Sequence, residues 1–215
     1  MKVDRRINKT KAALKKSLHT LILEKGYDEI SIQEITDHAD LGRATFYLHY
    51  QDKDELFGDI LQDITNTYFQ TLSPQEIHTN TFLDEKILEG IFNYSKEYAS
   101  LFNKLNDGRS GVVGFRLLTQ IVRKEIAKKL QMSADDDLMT LCKLTLTENY
   151  LAGATLTLVF WWLENNMPIP SKSMSQLLAK ANLACIEAVE NGLEAIQEDL
   201  TLPGSLSKFS LGITE

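Results

Sequence analysis

The sequence predicts an all-α protein, with a small N-terminal head of three helices followed by a larger helical body. Three observations predict it. Only four prolines interrupt 215 residues. Apolar residues recur at i, i+3, i+4 and i+7, the helical period, and not at the alternation of a strand. Turn and capping signals also divide the first fifty residues into three short helical segments.

The first helix is expected over residues 10–25, where Leu14, Leu18, Leu21 and Ile22 form one apolar stripe with Lys11, Lys15 and Lys16 off it. Gly26 follows its last turn, where a left-handed residue is wanted. Ser31-Ile32-Gln33-Glu34 has the form of a capping box and opens a short second helix that points Ile32 and Ile35 inward. Ala39-Asp40-Leu41-Gly42 breaks that helix, and a third starts at Gly42 or Arg43. Asp52-Lys53-Asp54-Glu55 is a second capping signal, opening a fourth helix with Leu56, Phe57, Ile60, Leu61 and Ile64 inside.

Two short helices joined by a tight turn and packed on a first helix make a helix-turn-helix. At 100° per residue, Phe46 and Tyr50 share the face that would pack under Leu41 and Ile35. Arg43, Ala44, Tyr47 and Leu48 spread over the opposite side, with Thr45 and His49 at its margins. Those side chains suit a major groove. A guanidinium at Arg43 can pair twice with a guanine edge, Ala44 permits close approach, and Leu48 can touch a thymine methyl. Thr45, Tyr47 and His49 have polar tips for phosphate or base contacts. Gln33 could reach an adenine edge or a phosphate, and Lys53 could meet a phosphate at a helix N-terminus.

The net charge of −7 argues against a nucleic-acid partner until its distribution is read. Residues 1–16 hold seven cations, Lys2, Arg5, Arg6, Lys9, Lys11, Lys15 and Lys16, against the single anion Asp4. A basic tip on an acidic body suits a protein that touches phosphate at one end.

The segment Lys25-Gly26-Tyr27-Asp28, then Ile35 and Ala39, then 45–50 (Thr-Phe-Tyr-Leu-His-Tyr) and Asp52-Lys53-Asp54-Glu55-Leu56 resembles the DNA-binding head of the TetR repressor family. The resemblance covers residues 8–60. It implies that Arg43, Ala44, Thr45, Tyr47, His49 and Lys53 meet DNA and that Phe46 is core. It also implies a body that binds a small-molecule effector, pairs two chains, and pivots the heads away from operator spacing. The expected partners are therefore a double-stranded DNA operator, a second copy of the chain, and an effector.

On this basis the head is residues 1–52, a connecting helix 53–72, the ligand-binding and dimerisation body 73–200, and a flexible tail 201–215. Ser73-Pro74 marks the joint. Within the body a helix is expected over 83–103, a loop from Asn106 through Gly111 with Gly114 nearby, a helix to about 130, a long helix capped by Ser133-Ala134-Asp135-Asp136 and ending near 166, and a last helix over 175–199. Tyr94, Tyr98, Phe102, Phe115, Leu118, Thr145 and Asn149 are candidates to line the effector site. Trp161 and Trp162, with a seam of Ala179, Leu183, Ile186, Glu190 and Leu193, are the candidate dimer interface; the alternative is that the two tryptophans are monomer core. The run from Phe160 to Pro168 is similar to a C-terminal type found in part of the family.

Other functions find little support in the residues. His19, His38, His49 and His78 show no ligand spacing and no Gly-rich phosphate loop follows a strand, so no metal, cofactor or catalytic site is expected. Cys142 and Cys185 form no disulfide or zinc pattern and read as core thiols of a cytoplasmic protein, a redox-sensing pair being the sharper alternative. No secretory signal is read in the charged residues 1–16, and the apolar run 150–163 is shorter than the ~20 residues that span a bilayer. The rival to a DNA-binding regulator is a helical adaptor that binds another protein and has lost operator binding.

Overall fold

A computed structural model describes residues 5–72, 82–105, 109–129 and 138–195. Among them the elements are α1 (Arg5–Lys25), α2 (Ile32–His38), α3 (Arg43–Tyr47), α4 (Lys53–Thr71), α5 (Glu85–Ser95), a 3-10 turn (Lys96–Tyr98), α6 (Ala99–Leu105), α7 (Arg109–Lys129), α8 (Leu138–Glu164) and α9 (Ser171–Ala195), with no strand. The all-α class and the three-helix head are as the sequence predicts. Lys2, Ser73-Pro74, His78, the 133–136 capping signal and the tail lie outside the described residues, as does the Leu193 side chain.

The chain divides into two units, Met1–Thr71 with Tyr94–Leu118, and Leu72–Asn93 with Thr119–Glu215. In the first unit α1 packs against α2, α4 and α6. Leu14, Leu18, Ile22, Ile35, Phe46, Leu56, Phe57 and Leu61 are fully buried there, and the Phe57 ring lies 4.9 Å from that of Tyr27. Side chains of this size each contribute about 1.5–3 kcal/mol when buried, which is what holds helices as short as α2 and α3, of 7 and 5 residues, in place.

The predicted signals hold in the head. Gly26 has φ +82°, and its N–H donates to the Ile22 carbonyl at 2.9 Å, closing α1. Ser31 and Glu34 form the reciprocal capping box at the start of α2. At α4, the Asp52 carboxylate accepts from the Glu55 N–H at 2.8 Å, and the Glu55 carboxylate accepts from the Gln51 N–H at 2.5 Å. One boundary differs: α1 begins at Arg5, more than a turn ahead of residue 10, because nothing in Arg5–Lys9 breaks a helix.

The body departs further from expectation. The helix predicted over 83–103 is interrupted by the 3-10 turn at Lys96–Tyr98, which aromatic spacing does not register. Asp84 starts it, its carboxylate accepting from the N–H groups of Lys86 at 2.8 Å and Ile87 at 3.2 Å. Arg109, Ser110, Gly111 and Gly114, read as a loop, lie within α7. Each helical glycine costs about 1 kcal/mol, but Gly114 is buried beside Val113, and α7 also buries Leu118, Ile121, Val122 and Ile126. α9 starts at Ser171, four residues earlier than predicted, because the Pro170 carbonyl accepts from Ser173 at 2.9 Å and Met174 at 3.1 Å.

In the second unit α8 and α9 pack on each other. Asn166 and Met167 both take φ +57° to end α8, and the Met167 N–H reaches back to the Trp162 carbonyl at 2.7 Å. The buried Glu148 carboxylate accepts from Arg123 Nη2 at 2.6 Å and Nε at 3.1 Å, joining α7 to α8. Asn182 donates to the Phe82 carbonyl at 2.7 Å.

Candidate nucleic-acid interface

The turn before α3 fixes which way that helix faces. Asp40 adopts φ +54°, and the Leu41 N–H donates to the Thr36 carbonyl at 2.9 Å, so α2 ends in a tight left-handed cap. Gly42 then starts α3, its carbonyl accepting from Thr45 at 2.9 Å and Phe46 at 3.3 Å.

Only five residues form α3, and an isolated helix of that length is unstable in water. Phe46, 0% exposed, and Tyr50, also buried, anchor it, their rings 5.9 Å apart. On the opposite side Arg43 and Ala44 are exposed, Tyr47 is 50% exposed and Leu48 80% exposed. Thr45 and His49 are half-buried at the margins, as the helical wheel predicts. Leu48 lies just past the end of α3, at its C-cap. Arg43 Nη2 donates to the Tyr47 hydroxyl at 3.4 Å, so these two side chains approach one another on the outer face. The structure thus leaves Arg43, Ala44, Tyr47 and Leu48 exposed together on the side opposite Phe46.

Gln33 is exposed in the first turn of α2, where its amide donates to Asp37 at 2.6 Å. Lys53 is differently placed from its sequence expectation. Its ammonium donates to the carbonyls of Tyr27 at 2.8 Å and Ile30 at 2.7 Å and lies over the Tyr27 ring. Two of its three donors therefore tie the start of α4 to the α1–α2 connection.

The basic arm divides similarly. Lys11 lies 3.6 Å from Asp59, and Lys15 lies 3.6 Å from Asp59 and 2.5 Å from Asp63, joining α1 to α4. Arg5, Arg6, Lys9 and Lys16 are exposed on α1.

Sequence reasoning placed Tyr50 inward but missed the hydroxyl partners of the two buried phenols, Tyr27 and Tyr50. The Tyr27 hydroxyl donates to Asp54, and the Tyr50 hydroxyl donates to Asp59 at 2.6 Å. Burial and the adjacent carboxylates push both hydroxyls above the ordinary phenol range, so both remain donors. The missed signal was the coincidence of an inward-facing tyrosine with an aspartate on the facing side of α4.

The effector candidates fall in both units. Tyr94, Tyr98, Phe102, Phe115 and Leu118 belong to the first, Thr145 and Asn149 to the second. Tyr94 and Tyr98 come together, hydroxyls 3.2 Å apart, and the Tyr94 ring lies 5.4 Å from that of Tyr68. Phe102 and Leu118 are buried and Phe115 is exposed. Asn149 is exposed, its amide donating to the Thr145 carbonyl at 2.7 Å.

The dimer candidates separate sharply. Trp162 is 1% exposed, edge-on to Phe92 at 5.2 Å, and its indole donates to the Ile169 carbonyl at 2.6 Å. Trp162 and Ala179 therefore spend their surface within one chain, as core. Trp161 at 41% and Leu183 at 47% are exposed, Glu190 is exposed and Ile186 half-buried. The thiols of Cys142 and Cys185, expected in the core, are free and half-buried, with burial raising the Cys185 thiol. Among the described residues no helix is long and apolar enough to cross a membrane.

Comparison with known proteins bears on this geometry. Residues 17–60, from the middle of α1 into α4, match the family model for bacterial regulatory proteins, tetR family. An uncharacterized HTH-type transcriptional regulator, YxbF of Bacillus subtilis (strain 168), is 41% identical over 61 residues, 28% of this chain and 16% of that protein. The HTH-type transcriptional repressor DhaR of Mycobacterium sp. (strain GP1) is 24% identical over 113 residues, 50% of this chain and 53% of that one. The chain thus spans between about a sixth and a half of the length of these curated relatives. A tetR-family transcriptional regulator from Streptomyces coelicolor, 18% identical, shares the fold with a TM-score of 0.52 over 92% of this chain and 94% of that one. The head, residues 17–60, is thus similar in sequence to the bacterial regulatory proteins of the tetR family, and the fold over most of the chain is that of the solved tetR-family regulator.

Proposed function

We propose that the chain is a sequence-specific, DNA-binding transcriptional regulator, a cytoplasmic repressor that grips a palindromic operator as a homodimer and is released by a small-molecule effector. The observation that carries this reading is the outer face of α3. Arg43, Tyr47 and Leu48 stand exposed over a rigid base of Phe46 and Tyr50. A leucine left 80% exposed lowers no folding free energy where it stands, whereas a groove lined by thymine methyls would cover it. Gln33, Ala44, Thr45 and His49 complete the contact surface, and Arg5, Arg6, Lys9 and Lys16 supply charge for phosphates.

Two-fold pairing is supported by the operator logic of a small head, since one α3 grips one half-site and half-sites lie about one turn of duplex apart. Exposed Trp161 and Leu183, with Ile186 and Glu190, are the surface we assign to the partner chain. Repression is favoured by the name of the relative DhaR. Tyr94 and Tyr98, with Phe102, Phe115 and Leu118 of the same unit, are the residues we assign to the effector, which must bind the DNA-incompetent state more tightly to shift the equilibrium. Titrating the chain against operator and unrelated duplexes at two salt concentrations tests the core of this reading. A regulator binds both in a salt-dependent manner and prefers one; an adaptor that has lost operator binding prefers neither.

A further inference from the structure

A helix of five residues cannot hold its own orientation, so whatever fixes α3 decides whether its side chains meet base edges in register. Phe46 supplies the apolar anchor. At the C-terminal side, the Tyr50 hydroxyl donates to Asp59 Oδ2 at 2.6 Å. The same oxygen lies 3.6 Å from the ammonium groups of both Lys11 and Lys15, and Lys11 sits 4.9 Å above the Tyr50 ring. One carboxylate thus gathers α1, α4 and the segment after α3, all within the first unit. Burial pushes the Asp59 carboxyl up, but the Tyr50 hydroxyl and the two lysines outweigh it and hold the group below its ordinary value, so it is charged at neutral pH.

We propose that Asp59 is a positioning residue for base recognition, tethering α3 through the Tyr50 hydroxyl while holding Lys11 away from phosphates, so that the head favours its operator over bulk duplex; Lys15 has its closer partner in Asp63, at 2.5 Å. The proposal rests on the DNA-binding reading above. Both halves follow from general chemistry. A loosened α3 loses base contacts, which carry discrimination, while a released lysine adds a phosphate contact, which carries none.

The test uses the full chain with Tyr50→Phe and Asp59→Asn. Tyr50→Phe keeps the ring and removes only the hydroxyl. Amide hydrogen exchange without DNA reads the tether: residues 43–50 should exchange faster in both variants, with Leu18 and Ile22 of α1 unchanged. Duplex titration reads specificity. Tyr50→Phe should lower the operator-to-unrelated affinity ratio by about tenfold, the scale of one hydrogen bond to a charged group, with the salt slope unchanged. Asp59→Asn should lower the ratio further while steepening the slope by about 0.9 as Lys11 is released. Unaltered exchange at 43–50 in both variants overturns the tether. Equal losses on operator and unrelated duplex, tracking a lowered Tm, overturn the specificity role and leave only a structural one. Absence of duplex binding by the wild-type chain overturns the DNA reading and the specificity role with it, while the exchange result still decides the tether.

Discussion

The Lys53 ammonium stands 4.3 Å above the ring of Tyr27 and donates to that residue's own carbonyl at 2.8 Å. A second bond, to the Ile30 carbonyl at 2.7 Å, closes the link between α4 and the α1–α2 connection. Those two carbonyls fall in the short connection between helices, and a charged donor is a strong partner for them.

Lys53→Ala is therefore expected to lower the stability of the isolated protein by about 2 kcal/mol, the range for hydrogen bonds from charged groups. Urea unfolding without DNA measures this. An unchanged midpoint accompanied by a salt slope lowered by about one would instead make Lys53 a phosphate contact, as its position in the sequence suggests.

Arg43→Ala should weaken operator binding by ~1–3 kcal/mol and relax preference at one base pair. Titration against single-substitution operators checks it. Equal losses on every duplex would make the guanidinium a phosphate contact.

Leu48 offers a chemical test that leaves the protein intact. Replacing single thymines of the operator by uracil removes only the 5-methyl group. At one position per half-site the wild type should lose affinity, and Leu48→Ala should be insensitive to that change. Sensitivity that persists in the alanine variant would assign the methyl to another side chain.

The α2 cap should titrate with acid. Hydrogen bonding to Lys25, then to Ser31, lowers the Glu34 carboxyl from 4.5 to about 2. A depressed value contributes stability that is present above the unfolded value and lost as pH falls through the folded one, here between about 4.5 and 2. Lys25→Ala removes the largest cause and should flatten that acid limb most, with Ser31→Ala, which keeps its backbone N–H, flattening it less; denaturant titrations from pH 6 to pH 2 would show the order.

Arg123 and Glu148 make the opposite prediction. Burial holds the Glu148 carboxyl above its ordinary 4.5 against the pull of Arg123. Raised folded values give stability that is complete below the unfolded value and lost as pH rises through the folded one. Arg123→Met removes the counter-charge, so this variant should be most stable near pH 4 and lose about 3 kcal/mol relative to wild type by pH 7. A pH-independent difference would show that the carboxylate is solvated.

The head was legible in the sequence because short-range rules decide it. Gly26, Ser31, Glu34 and Asp52 act within four residues of themselves, and each does what its type predicts. The outward face of α3 followed from the wheel for the same reason. What the sequence concealed were partnerships across long separations. Lys53 looks like a free cation until folding places it against Tyr27 and Ile30, and Tyr50 looks purely apolar until Asp59 meets its hydroxyl. Trp162 resembled an interface anchor beside Trp161, yet one helical step rotates it onto Phe92 and into the core. Gly111 and Gly114 read as a loop because glycine preference is local, while the burial that keeps α7 helical is tertiary.

The most direct test of DNA recognition by α3 is selection of duplexes from a randomised library by the purified full chain, repeated at two salt concentrations. Enrichment of a palindromic site with half-sites about one helical turn apart, bound by two chains with strong salt dependence, is the predicted result. Failure to enrich any site at low salt would contradict it.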